Sequence, residues 1–302
     1  MLTTHLTLQE VLNGLMTRYQ ERVPDVKAII AAMVREGIIA GPSEIENDHI
    51  AFRTLGVRHL GISSLEKIFL HYGYRKMDFY NFPEKKLDAY WYAPADPRDP
   101  RIFISELRVD DLSEPAQQII TSYTNEVQSD PVEGLHLDDA GEVDNFLHSG
   151  LWRLPTWEHY STLAAESEYA AWTIYNRYYL NHFTISVHNL KEGFNTIARF
   201  NAFLEQNNIV LNDASGKIKM SPDGGLLQSS TVAHMIQAIF AHGDVHMIPG
   251  SYVEFAERSV RPEFQHLPAD QLKREHRREG FEAANADKIF ESTYTAQTSR
   301  KR

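Results

Sequence analysis

Two stretches decide the fold: His49-Ile50-Ala51-Phe52-Arg53-Thr54-Leu55 and, about 130 residues later, Asn181-His182-Phe183-Thr184-Ile185-Ser186-Val187-His188. Each alternates bulky apolar with smaller or polar side chains, the pattern of a strand with one face on a core. After the first, Ser63-Ser64 caps a predicted helix running through Leu65, Ile68, Phe69 and Tyr72, and strands are expected at 74–80, 87–93 and 101–107. After the second, a helix through Phe194, Ile197, Phe200 and Leu204 precedes strand candidates at 208–212, 216–221, 225–232 and 250–258. Identity between the halves is negligible, so what recurs is order and spacing, the mark of a duplicated module. The expected fold class is α+β: two βαβββ-type modules forming a cupped mixed sheet around a pocket, wrapped by further helices. The expected plan is a single domain over 1–302. It comprises N-terminal helices in 1–45 (at 7–19 and 24–36), a first module at 46–110, a helical insertion at 111–179, a second module at 180–260 and a helical tail at 261–302. In the insertion, helices are predicted over 113–127 and 162–178, and the final TAQTSRKR is expected to be mobile.

With 302 residues, 42% of them hydrophobic, a sizeable core is available. No apolar run reaches bilayer length, and the start MLTTHLTLQEVL has neither a basic n-region nor a small-residue cleavage pattern. The chain contains no cysteine, which excludes disulfides, zinc–thiolate sites, iron–sulfur clusters and a cysteine nucleophile. A cytoplasmic location is the resulting expectation. Thirty basic against forty-one acidic residues give a net charge of −11, which argues against a nucleic-acid partner. A small anionic substrate is still compatible, because one or two buried arginines can bind a carboxylate whatever the overall charge.

Strand parity sorts the candidate site residues. His49, Ala51 and Arg53 share one face of the first strand; His182, Thr184, Ser186 and His188 share one face of the second; Tyr252, Glu254, Ala256 and Arg258 share one face of 250–258. In all three a metal-capable residue sits among small neighbours, away from the greasier face. Two imidazoles and a carboxylate on one side of an ion are the donor set of non-haem iron(II) oxygenases, with three positions open for a bidentate 2-oxo acid and dioxygen. Arg53 is placed to fork onto a substrate carboxylate. Other readings of the same residues stay open. A histidine in a mixed strand can be a hydrogen-bonded structural residue, and Glu254 can belong to an ion-pair cluster with Arg258 nearby. His188 shares the face of His182, and Glu106 holds in the first unit the place of Glu254 in the second. Gln228 and Ser230 alternate with Leu227 as possible substrate-binding positions or as a polar sheet face. His242 and His246 flank Gly-Asp-Val before Pro249-Gly250 and read as a loop. A glyoxalase-like lyase, isomerase or hydrolase that uses its ion without redox, or a metal-free small-molecule binder, is the alternative on these residues alone.

DHIAFRTLG (48–56), LNHFTISV (180–187), DGGLLQSSTVA (223–233) and IPGSYVEFAER (248–258) together resemble the 2-oxoadipate dioxygenase/decarboxylase family of the vicinal-oxygen-chelate (glyoxalase and extradiol dioxygenase) superfamily. The resemblance runs from about residue 25 to 290 and is to a short member; its second histidine strand reads HFTISV where the longer bacterial members are expected to read HLTPR. YVEFAER is also similar to the last metal-binding strand of 4-hydroxyphenylpyruvate dioxygenase. The resemblance implies an iron(II) cofactor on His49, His182 and Glu254, a substrate carboxylate on Arg53, and oxidative decarboxylation of 2-oxoadipate to 2-hydroxyglutarate in lysine breakdown. The implied partners are a 2-oxo acid and O2.

Overall fold

The computed structural model describes residues 2–300. In chain order the elements are α1 (Leu2–Arg22), α2 (Pro24–Arg35), β1 (Asn47–Gly56), α3 (Ile62–His71), β2 (Arg75–Phe82), β3 (Leu87–Ala93) and β4 (Arg101–Arg108). There follow α4 (Glu114–Thr124), α5 (Ala140–His148), α6 (Trp157–Glu166), α7 (Glu168–Asn176), β5 (His182–Ser186) and α8 (Ile197–Gln206). The last part holds β6 (Lys219–Met220), β7 (Leu226–Ser230), β8 (Met235–Ile239), β9 (Val245–Pro249), β10 (Tyr252–Arg258), α9 (Ala283–Phe290) and α10 (Thr295–Thr298).

Eight strands form one curled sheet in the order β2-β3-β4-β1-β5-β10-β7-β6. The seam is the antiparallel pair β1–β5, with Ala51 opposite His182. Outward from that seam both halves read alike. A parallel neighbour comes first, β4 beside β1 and β10 beside β5. Two antiparallel strands follow, β3 then β2 on one side and β7 then β6 on the other. Parallel pairs need a crossover, and α3 and α8 begin these two connections.

Residue parity sorts the two faces as the sequence suggests. Ile50, Phe52, Phe183, Ile185, Val253 and Phe255 pack with α1, α2, α3 and α8 on one side. Each such buried phenylalanine contributes on the order of 2 kcal/mol through apolar surface removed from water. The other face carries His49, Arg53, His182 and Glu254, and is covered by α4, α6, α7, the β8–β9 hairpin and α9.

Local chemistry explains where the elements depart from expectation. α3 begins at Ile62 rather than at a serine cap: Gly61 takes φ +81°, and the Ile62 amide donates to Glu106 Oε2 at 2.7 Å. A Cβ on Gly61 would collide with that carboxylate. The helix predicted over 162–178 is two helices, broken at Ser167, whose Oγ accepts from Ala170 N at 3.1 Å and caps α7. Residues 208–212 form a single bridge, Leu211 to Thr231, rather than a strand, and the strand at 216–221 shrinks to β6. The β8–β9 hairpin was not foreseen. Within the tail expected to be mobile, α10 forms, and Gln297 is only 6% exposed, accepting from Asp213 N at 3.2 Å; Lys301 and Arg302 lie outside the described residues. No described helix is long and apolar enough to cross a membrane.

Candidate metal centre

β1, β5 and β10 are near neighbours in the sheet, so parity directs His49, His182 and Glu254 to one point. All three are buried, at 1%, 5% and 1% exposure. Their ligand atoms lie within 4.8 Å of one another. His182 Nε2 is 3.0 Å from Glu254 Oε2, His49 Nε2 is 3.5 Å from Glu254 Oε1, and the two Nε2 atoms are 3.3 Å apart. Thr184 Oγ1, on the same face, is 3.1 Å from His49 Nε2.

Both rings are held from behind, which fits them to a cation. His49 Nδ1 pairs with Asp48 Oδ1 at 2.8 Å and His182 Nδ1 with Asn181 Oδ1 at 3.1 Å. A proton kept on Nδ1 leaves the Nε2 lone pair facing inward, as a metal requires. Asp48 is itself gripped by Arg258, through Nε at 2.7 Å and Nη2 at 2.9 Å, and by Arg101 at 3.3 Å. Burial works to raise its pKa, but the two guanidinium charges win and hold it well below the usual carboxylate range.

The same contest sets the triad. Burial favours neutral Glu254, yet the charges of His49 and His182 overcome it and push its pKa down. Burial pulls His49 down, but Glu254 and the Asp48 hydrogen bond raise it above its ordinary value. For His182 burial outweighs the carboxylate, and its pKa falls. An ionised carboxylate between two inward-facing imidazoles is a donor set for a divalent metal ion.

The centre opens on a cavity of about 20 Å³, walled further by Phe103, Gln228, Tyr252, Phe281, Ala286, Ile289 and Phe290. Gly280, at φ +69°, accepts from Arg258 Nη1 at 2.7 Å and turns the chain so that Phe281 stands edge-on to His49, with ring centroids 4.7 Å apart. Gln228 Nε2 donates to Glu254 Oε1 at 2.6 Å.

The other sequence candidates fall at different distances from this point. Arg53, 1% exposed, stands one layer behind the cavity wall; Nη1 donates to Thr293 Oγ1 at 3.0 Å and Nη2 to Phe290 O at 3.1 Å. Its guanidinium lies 5.0 Å from the ring centres of both Tyr169 and Trp172. Its Nε has no partner, and no carboxylate pairs with it among the described residues. Ser230 is tied to Ser292 Oγ at 2.8 Å rather than lining the cavity. Glu106 binds the start of α3, and burial raises its pKa. His188 follows β5 in a turn and accepts from Arg258 N at 3.2 Å; burial lowers its pKa to about 3. His242 takes a left-handed turn at φ 67°, while His246 sits on β9 and stacks on Trp157 at 3.8 Å. Asp48, Asn181 and Phe281 were missed as contributors. The first two carried a signal, since an acid or amide precedes each histidine ligand candidate.

Comparison with known proteins places nearly the whole chain beside one family. A family profile described as 2-oxoadipate dioxygenase/decarboxylase matches residues 11–269. A chloroplastic 2-oxoadipate dioxygenase/decarboxylase of Arabidopsis thaliana is 45% identical over an alignment of 304 positions that covers 97% of this chain and 79% of the relative. The crystal structure of the hydroxyglutarate synthase of Oryza sativa in complex with 2-oxoadipate superposes with a TM-score of 0.88 at 40% identity, covering 99% of this chain and 95% of that one. The fold alone is shared with a protein from Ralstonia eutropha JMP134 described within the glyoxalase superfamily, with a TM-score of 0.67 at 21% identity over 89% of this chain and 83% of that one. The chloroplastic relative overturns the cytoplasmic expectation. A cysteine-free composition excludes disulfides and chooses no compartment.

Proposed function

The chain belongs to the 2-oxoadipate dioxygenase/decarboxylase family, and from this premise we propose that it oxidatively decarboxylates a 2-oxo dicarboxylic acid on iron(II) held by His49, His182 and Glu254. With 2-oxoadipate the atoms balance as one O2 consumed, one CO2 released and one 2-hydroxyglutarate formed. The observation that carries the reading is the convergence of two imidazole nitrogens and a carboxylate within 4.8 Å in a buried apolar cavity. Iron(II) in that donor set supplies two-point attachment of the 2-oxo acid and activation of dioxygen.

The protein's own groups do the rest. Asp48 keeps the Nδ1 proton of His49 in place, and the Gln228 amide holds Glu254 Oε1. Phe103, Phe281 and Phe290 exclude water from the reacting atoms. Arg53 binds the far carboxylate of the substrate. Its support is electrostatic: a buried guanidinium without a carboxylate costs several kcal/mol, on the order of the desolvation of one ion, and an anionic substrate offsets that. Gln228 meets the substrate side of the cavity, whereas Ser230 secures the chain that closes it.

The test is anaerobic loading with iron(II) followed by a panel of 2-oxo acids, with O2 uptake and CO2 release measured together. Equal amounts of both with 2-oxoadipate are expected. Absence of O2 uptake across the panel would replace the dioxygenase by a non-redox metalloenzyme.

A further inference from the structure

We infer that Asn285, on the helix α9 that closes the cavity, is a positioning residue that fixes how Glu254 is presented to the metal; the inference rests on the assignment of His49, His182 and Glu254 as ligands. Asn285 is 2% exposed, and its side-chain hydrogen bonds go to none of those three. Its Nδ2 faces three acceptors: Gln228 Oε1 at 3.0 Å, Leu226 O at 3.3 Å and Lys219 O at 3.4 Å. Two of these are main-chain carbonyls of the paired strands β6 and β7, which cannot be turned around.

The chain of consequence runs inward from those carbonyls. They require the NH2 end of the Asn285 amide to point at them. That NH2 end then requires the oxygen of the Gln228 amide, which leaves Gln228 Nε2 directed at Glu254 Oε1, 2.6 Å away. The reversed Gln228 amide would set oxygen against carboxylate oxygen on one side and NH2 against NH2 on the other, among side chains that are all at most 2% exposed. With Oε1 so held, Oε2 is the carboxylate oxygen turned to His182, 3.0 Å from its Nε2. Fixed strand carbonyls thereby orient a metal ligand through two amides, one of them from outside the sheet.

The experiment is a titration of the purified full chain with cobalt(II), following its visible absorption, together with thermal melting. Asn285→Asp puts an acceptor where three oxygens need a donor and turns the Gln228 amide. It is expected to weaken cobalt(II) about 10–100-fold, the range for loss of an outer-sphere partner, and to shift the bound-ion spectrum. Asn285→Ala releases Gln228 without reversing it, so it weakens binding only several-fold even where it lowers the melting temperature as much. In a Gln228→Ala background neither Asn285 change should weaken cobalt(II) further, and the alanine arm of that cycle suffices if Asn285→Asp does not fold. Equal losses from Asn285→Asp and Asn285→Ala that track melting, or losses that persist undiminished without Gln228, overturn the positioning role. Wild-type cobalt(II) affinity in Glu254→Ala overturns instead the ligand assignment beneath it.

Discussion

Arg53 Nη2 donates to the main-chain carbonyl of Phe290 at 3.1 Å, so the strand that carries His49 is tied directly to the helix that walls the metal cavity. The same guanidinium reaches Thr293 Oγ1 at 3.0 Å. These neutral acceptors engage its two Nη atoms without neutralising its charge, and Nε has no partner.

Replacing Arg53 with methionine should therefore separate binding from stability. A hydrogen bond to a charged group contributes about 1.5–3 kcal/mol, so KM for 2-oxoadipate should rise roughly 10–150-fold. A 2-oxo acid of the same length lacking the second carboxylate should be affected little. The folded protein should melt no lower than wild type, because an uncompensated buried cation has been removed. Parallel losses for the two substrates would contradict the carboxylate role.

His49→Ala, His182→Ala and Glu254→Ala should each lose metal by more than the about 10–100-fold typical of an outer partner. Metal analysis after loading at equal total iron(II) reads this directly. Occupancy matching wild type in all three would refute the centre.

Asp48→Asn keeps shape but removes the charge that balances Arg258 and Arg101. Arg101 keeps Glu279, but Arg258 is left buried without a paired carboxylate, which should lower unfolding free energy by about 3–5 kcal/mol in urea denaturation. Metal affinity should fall about 10–100-fold as His49 loses its anchor. A variant that denatures with wild type would show that the Asp48 network contributes nothing.

Lys219 is 5% exposed, its Nζ donates to Asn212 O at 2.7 Å, and burial lowers its pKa to about 8. The unfolded chain keeps this lysine near its ordinary value, so between about pH 8 and 10.4 the unfolded state binds one proton more than the folded state. Stability from this group consequently rises with pH across that window, by about 3 kcal/mol in full. Lys219→Met should flatten that slope. If the difference between variant and wild type is the same at pH 7 and pH 10, the lysine is not carrying the shift.

How much of this was legible beforehand depended on the range of the interactions. Alternation within β1, β5 and β10 is a property of consecutive residues, and it gathered His49, His182 and Glu254 onto one side before any tertiary contact was known. Arg53 followed from the same parity, but its partners did not, because Phe290 and Thr293 lie more than 200 positions away with no periodic signal linking them. Asn285 was invisible for the same reason: an asparagine in a short helix declares no orientation. Phe281 depends on the left-handed turn at Gly280 and on the grip of Arg258, both set by tertiary packing. The break at Ser167 was missed because apolar spacing continued across it, while the capping hydroxyl that stops one helix also starts the next.

The seam between β1 and β5 also places the centre in time. His49 and Glu254 stand roughly 200 residues apart, and a chain made at about 5–20 residues per second presents the first about 10–40 s before the last. Asn285 arrives later still. A nascent molecule thus presents the three ligand candidates singly, His49, then His182, then Glu254, and only the finished fold brings them within 4.8 Å of one another. An ion that needs all three donors would therefore be drawn from the supply that the completed protein meets, not from whatever surrounds the chain while it is being made.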